Sequence, residues 1–207
     1  MKTKVIKKSS NAIEETLKWL KNGEVVIIPT ENVYGLAGNA DSKSVIDKIY
    51  ELKKRDRSKP LVYFTSKRKA ANYGYINDIA KKIIDLWPEG IGIIVMKKDS
   101  VPQYVTAGRD SIMLVCVDSF METLANKADF PIVGTSANIS GERSNADFES
   151  VFRTFNGKVP LIVNGGKSNR GVSGSIVDLT VKPPRIIREG AFSIALIKKI
   201  LPDATYY

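Results

Sequence analysis

Apolar positions fall into short blocks whose spacing alternates between the helical and the extended period. In residues 11–22 they stand at Ile13, Leu17 and Leu20, a helical spacing, and Gly23 follows as a stop. Residues 25–28 form a short apolar, β-branched run before Pro29 and predict a buried strand. Residues 41–53 begin with the capping candidate Asp41 and place Val45, Ile46, Ile49 and Leu52 on one helix face. A strand is predicted at 61–64 and helices at 67–75 and 77–86. Strands follow at 91–96 and 112–117, with Pro102 between them.

Further along, 119–128 predicts a helix and 132–135 a strand. In 145–155, Phe148, Val151, Phe152 and Phe155 share a helical face. Late strands are predicted at 161–163, 176–179 and 185–187, and a closing helix at 193–200. The alternation along the chain predicts an α/β fold: a single domain over residues 1–207, with a twisted sheet and flanking helices. The closely spaced late strands predict an antiparallel portion, hence a mixed sheet.

Composition narrows the chemistry. The 207 residues are 43% apolar and 26% charged, as in an ordinary globular chain. No apolar run approaches the ~18–20 residues that cross a bilayer, and the basic start MKTKVIKKSS lacks an apolar core and cleavage site. No signal peptide, no membrane partner and a cytoplasmic location are therefore expected. One cysteine, Cys116, allows no intramolecular disulfide. The net charge of +10 favours anionic partners such as nucleotides or nucleic acid, although summed charge does not reveal clustering. The absence of histidine excludes Ser-His-Asp and Cys-His catalysis and HExxH zinc chemistry. Catalysis must use Lys, Arg, carboxylates, hydroxyls or backbone dipoles, and no protein metal site is expected.

Four segments stand out from packing. Residues 29–37, PTENVYGLA, leave a strand with hydroxyl, carboxylate, amide and glycine together, where ligands bind in open α/β sheets. An ordinary turn is the competing reading. Residues 53–59 hold five cations in seven positions, either a phosphate clamp or a solvated helix end. Residues 131–141, PIVGTSANISG, open a buried strand into hydroxyls and an amide suited to a polar or anionic ligand. Residues 165–178 form a loop rich in glycine and serine that feeds a strand. Its Gly166-Lys167-Ser168 is not a phosphate-binding P-loop, because Leu161 stands where the first glycine must be.

In this order the segments resemble the YrdC-like family of threonylcarbamoyl-AMP synthases. PTENVYGLA is similar to PTET-x-YGLA, LKKRDRSKPL to KxR…(N/K)PL, and Trp87-Pro88 to the start of WPGPxT. TSANISG is similar to TSANxSG, GSIVD to STVxD, and IIREG to a closing RxG. The similarity runs from about residue 10 to 195. It implies a YrdC-like fold with a concave basic groove. It also implies that L-threonine, bicarbonate and ATP with Mg²⁺ give threonylcarbamoyl-AMP for the threonylcarbamoyladenosine modification of tRNA.

The resemblance assigns nucleotide contacts to Lys53, Arg55, Lys59, Ser111, Ser136, Ala137, Asn138 and Arg188, with Lys53 and Arg55 as the catalytic pair. It assigns the substrate pocket to Thr30, Asn32, Tyr34, Phe64, Val115, Thr135 and Ser175. On the amino-acid side the chain departs from the pattern. Asn32 stands for a threonine, Phe64 for a histidine and Val115 for an arginine, while WPGPxT reads WPEGIG. Arg109 and Arg143 are loop arginines that could replace the missing one. Three readings stand: a synthase with an altered threonine pocket, a protein binding nucleotide or RNA (tRNA or double-stranded) without this activity, and an adenylate-forming enzyme for a more apolar substrate.

Overall fold

The computed structural model describes residues 1–206. The first half of the chain forms β1 (Lys4–Lys7), α1 (Ser10–Lys21), β2 (Val26–Ile28), β3 (Gly35–Asn39), α2 (Lys43–Lys53), β4 (Val62–Phe64), α3 (Asp78–Ile84) and β5 (Ile91–Met96). Then come α4 (Gln103–Thr106), β6 (Ser111–Val115), α5 (Ser119–Lys127), β7 (Ile132–Ser136), α6 (Phe148–Phe155) and β8 (Leu161–Asn164). The chain continues through β9 (Ser175–Asp178), β10 (Arg185–Arg188), α7 (Ile194–Ile200) and β11 (Thr205–Tyr206). All strands join one sheet in the order β1-β8-β2-β3-β7-β4-β6-β5-β9-β10-β11.

The sheet is mixed, as the pattern predicted, but antiparallel pairing is not confined to the late strands. It also runs through the centre, in β2–β3, β3–β7, β7–β4 and β6–β5. Two of these pairs come from β3, Gly-Leu-Ala-Gly-Asn, whose small residues read as a turn rather than a strand. Those small residues admit neighbours: a Cβ on Gly38 would overlap Val45, and one on Gly35 would lie 3.1 Å from the Phe64 ring.

The helix expected at 67–75 is replaced by one 3₁₀ turn at Ala70–Asn72. The chain there is drawn onto β5, with Tyr75 N–H donating to Met96 O and Lys98 N–H to Tyr73 O. The helix expected from 145 starts at Phe148, because the Asp147 carboxylate accepts the Ser150 N–H at 2.8 Å and caps it.

Alternation along the strands divides the interior into two layers. Ile27, Leu36, Tyr63, Ile93, Ile112 and Leu114 face one layer, where residues of α2, α3, α4, α6 and α7 pack. Val26, Ala37, Phe64, Val115 and Ile132 face the other, covered by Ile13 and Leu20 of α1 and Phe120, Met121 and Leu124 of α5. These two helices cover only part of that face. The remainder is the floor of a cavity.

Candidate active site

The cavity holds about 410 Å³ and is lined from several strands and the loops that leave them. Strand register sets out its floor. Val115 lies opposite Gly92 of β5 and Phe64 of β4, and one row further Met113 lies opposite Ile94 and Val62. Ser111 begins β6, with Arg109 just before it. At ~3.3 Å per residue, Ser111 and Val115 stand ~13 Å apart along the strand.

Cations reach the lining from two loops and from the end of β10. The lining includes Arg55, Lys59, Arg109 and Arg188, and no carboxylate among the described residues. Lys54 ends α2 in the left-handed conformation, with φ 49°, and Arg55 N–H returns to Tyr50 O at 2.9 Å. This reversal separates Lys53, which points inward, from Arg55, which reaches the cavity. Arg55 braces the following turn through Nε to Lys59 O (3.2 Å) and Nη2 to Pro60 O (3.0 Å). Three of its five N–H donors have no partner among the described residues. Arg188 is held by Nε and Nη2 on Gly174 O, at 3.1 and 2.7 Å. Burial lowers the pKa of both guanidiniums from the ordinary arginine value.

Most of the expected residues meet here. Thr30, Asn32, Tyr34, Arg55, Lys59, Phe64, Ser111, Val115, Thr135, Ser136, Ser175 and Arg188 all line the cavity. Several hydroxyls are already engaged. Thr30 Oγ1 donates to Val33 O at 2.7 Å, and Tyr34 Oη donates to Gly166 O at 2.9 Å. Ser175 Oγ donates to Phe192 O and accepts from Gly190 N–H at 2.8 Å. These bonds fix the shape of the strand exits.

Three expected nucleotide contacts do not reach the wall. Lys53 is 1% exposed, Ala137 is fully buried and Asn138 is 7% exposed. Lys53 Nζ donates to Ser136 O, Asn138 O and Asn138 Oδ1. Burial, and then the charge of Arg55, lowers its pKa to about 7. Asn138 Nδ2 donates to Ile139 O and Glu142 O, both at 2.8 Å. A buried ammonium needs acceptors, and the loop carbonyls supply them. Lys53 and Asn138 thus build the loop that presents Thr135 and Ser136, with their side-chain donors engaged within the protein.

Of the two loop arginines, Arg109 lines the cavity whereas Arg143 is exposed and outside it. The sequence pattern did not single out Met113, Val117, Met121, Ile94 and Ile176, which also line it. Alternation from Ser111 through Met113 to Val115 is the signal that could have found Met113. No sequence signal placed Arg170, whose Nη1 donates to Asn32 Oδ1 (3.2 Å) and Val117 O (3.1 Å) and whose Nη2 meets Glu89 Oε2 at 2.5 Å.

A strand-exit cleft with four cations in its lining and an apolar floor defines an α/β protein with a small-molecule site. Residues 18–190 match the Sua5/YciO/YrdC family, described as Telomere recombination, and the chain belongs to that family. A threonylcarbamoyl-AMP synthase of Pyrococcus abyssi is 30% identical over 194 residues, covering 89% of this chain. The chain spans 56% of that relative's length. A putative threonylcarbamoyl-AMP synthase of Methanocaldococcus jannaschii is 30% identical over 203 residues, covering 94% of this chain and 96% of the relative. The crystal structure of P. abyssi Sua5 complexed with L-threonine is similar with a TM-score of 0.93 at 27% identity. It covers 99% of this chain and 63% of the solved one.

Proposed function

We infer that this chain makes threonylcarbamoyl-AMP from L-threonine, bicarbonate and ATP, the activated intermediate of tRNA threonylcarbamoyladenosine synthesis. The observation that carries the reading is the cavity lining, which holds Arg55, Lys59, Arg109 and Arg188 together with Thr135 and Ser136 and, among the described residues, no carboxylate. The names of the relatives point to the same reaction. The amine of threonine and bicarbonate form a carbamate with loss of water. A carbamate oxygen then attacks the ATP α-phosphorus, and pyrophosphate leaves. The step needs alignment and charge compensation rather than a histidine base. Arg55 and Lys59 compensate the phosphate charge from the α2–β4 loop, and Arg109 and Arg188 close on it from the β6 and β10 ends. Mg²⁺ enters with ATP as part of the substrate, held by its phosphates.

Pyrophosphate release with ATP, bicarbonate and L-threonine tests the reading; release no greater than a blank without threonine refutes it. A second reading has its own support. Phe64 and Val115 make the floor apolar, which favours a more apolar amino acid as the carbamoylated substrate. L-Valine has the shape of threonine without the hydroxyl, and a valine rate above the threonine rate selects this reading. No described helix is long and apolar enough to cross a membrane. The activity that the relatives' names state fits the cytoplasm, where we place this protein. Direct RNA binding would fall steeply with added salt; a salt-insensitive or absent signal removes it.

A further inference from the structure

Two positions where the chain departs from the pattern it resembles, and one main-chain oxygen close to a third, meet at one side chain. Asn32 stands where a threonine is expected, Glu89 lies in the altered Trp-Pro stretch, and Val117 follows two residues after Val115, where an arginine is missing. Arg170, on the loop before β9, bonds to all three. The contact with Asn32 spans 138 residues of sequence. Both Asn32 and Val117 line the cavity, so the guanidinium stands one hydrogen bond from its wall.

The cations that do line the cavity lie elsewhere. Arg109 precedes Ser111, ~13 Å along β6 from Val115. Arg188 pairs with Ile176, which pairs with Gly92 opposite Val115, placing it three strand spacings away, ~14 Å at the backbone. A loop arginine therefore supplies positive charge where the strand has lost its own.

We propose that Arg170 anchors the carboxylate of the amino-acid substrate, and that Glu89 occupies it until substrate arrives. The proposal rests on the synthase reading for the nature of the substrate. Three of the five N–H donors of Arg170 are engaged, leaving two among the described residues, on Nε and Nη2. Nε and Nη2 share one edge of the guanidinium, which suits a carboxylate side-on once Glu89 has left Nη2. Glu89 is displaceable: its side chain is 39% exposed, so it can turn to solvent, and an exposed ion pair of this kind holds weakly. Asn32 is 3% exposed and sets the height of the guanidinium against the cavity.

Calorimetric titration with L-threonine and with L-threonine amide tests the proposal, with ATP affinity as the check on folding. Arg170→Gln should weaken L-threonine about tenfold or more and leave the amide unchanged. Glu89→Gln should strengthen L-threonine by about two- to fivefold, because the competing carboxylate is gone. Asn169→Ala, which cuts only the loop tie from Asn169 Nδ2 to Glu31 Oε2, should leave L-threonine affinity within about twofold of wild type. Equal losses for threonine and its amide, a Glu89→Gln variant that binds more weakly, or an Asn169→Ala loss matching that of Arg170→Gln would each overturn the proposal. So would wild-type protein that binds no L-threonine. If Arg170→Gln also loses ATP, the Glu89→Gln and Asn169→Ala results decide. Wild type that binds threonine but releases no pyrophosphate fails the synthase reading and leaves this test in force.

Discussion

Lys53 Nζ donates a hydrogen bond to the main-chain oxygen of Asn138, 2.8 Å away and across 85 residues of sequence. Its folded pKa, near 7, lies below the 10.5 of an ordinary lysine, because burial disfavours the charge. The unfolded chain therefore binds more protons between those values, and stability gains as pH rises from about 7 towards 10.5. The slope approaches about 1.4 kcal/mol per pH unit for one proton. Urea denaturation of wild type and Lys53→Met at pH 7 and pH 9.5 checks this. The stability difference between them should change with pH in the sense that wild type gains relative to the variant.

Arg55 keeps three N–H donors after bracing Lys59 O and Pro60 O. Loss of charge-assisted bonds to phosphate costs about 1.5–3 kcal/mol, so Arg55→Ala should weaken ATP tenfold or more at ~1.4 kcal/mol per decade. Calorimetry with ATP reads this directly, and unchanged affinity would remove Arg55 from the phosphate wall.

The Phe64 ring lies over Gly134 so closely that a Cβ there would overlap it. Gly134→Ala should destabilise by about 1–3 kcal/mol through overpacking. Pairing it with Phe64→Leu, which shortens the opposing side chain, should recover part of that loss in the same urea experiment. Additive losses would show that the two sites do not touch.

Ser175 Oγ gathers the N–H groups of Gly190 (2.8 Å) and Phe192 (3.2 Å) while donating to Phe192 O. Ser175→Ala leaves these groups unpaired near the cavity and should cost about 1–3 kcal/mol of stability. Because Arg188 precedes this turn, ATP affinity should fall as well, as read by calorimetry at a temperature where the variant remains folded.

Most of the element order was legible, because burial imposes period two on strands and 3.6 on helices. Leu61 to Phe64 and Ile91 to Met96 are apolar runs of strand length, and the Phe148–Phe155 face carries the helical period. Elements built by contact rather than by pattern were missed. The strand Gly35–Asn39 is small and glycine-rich because Val45 and Phe64 press on it, and residues 67–75 lose their helix to pairing with β5.

The candidate site divides the same way. Sequence alone placed the residue types: clustered cations, hydroxyl-rich strand exits and an amino-acid side altered at Asn32, Phe64 and Val115. Those are local properties, written in neighbouring positions. Tertiary structure alone decided direction. It turned Lys53 inward to hold the Ser136–Asn138 loop, brought Arg109 to the cavity and left Arg143 outside, and carried Arg170 to Asn32. Buried polar groups take whichever partners the closed fold delivers, and those partners lie tens of residues away, beyond the reach of any sequence period.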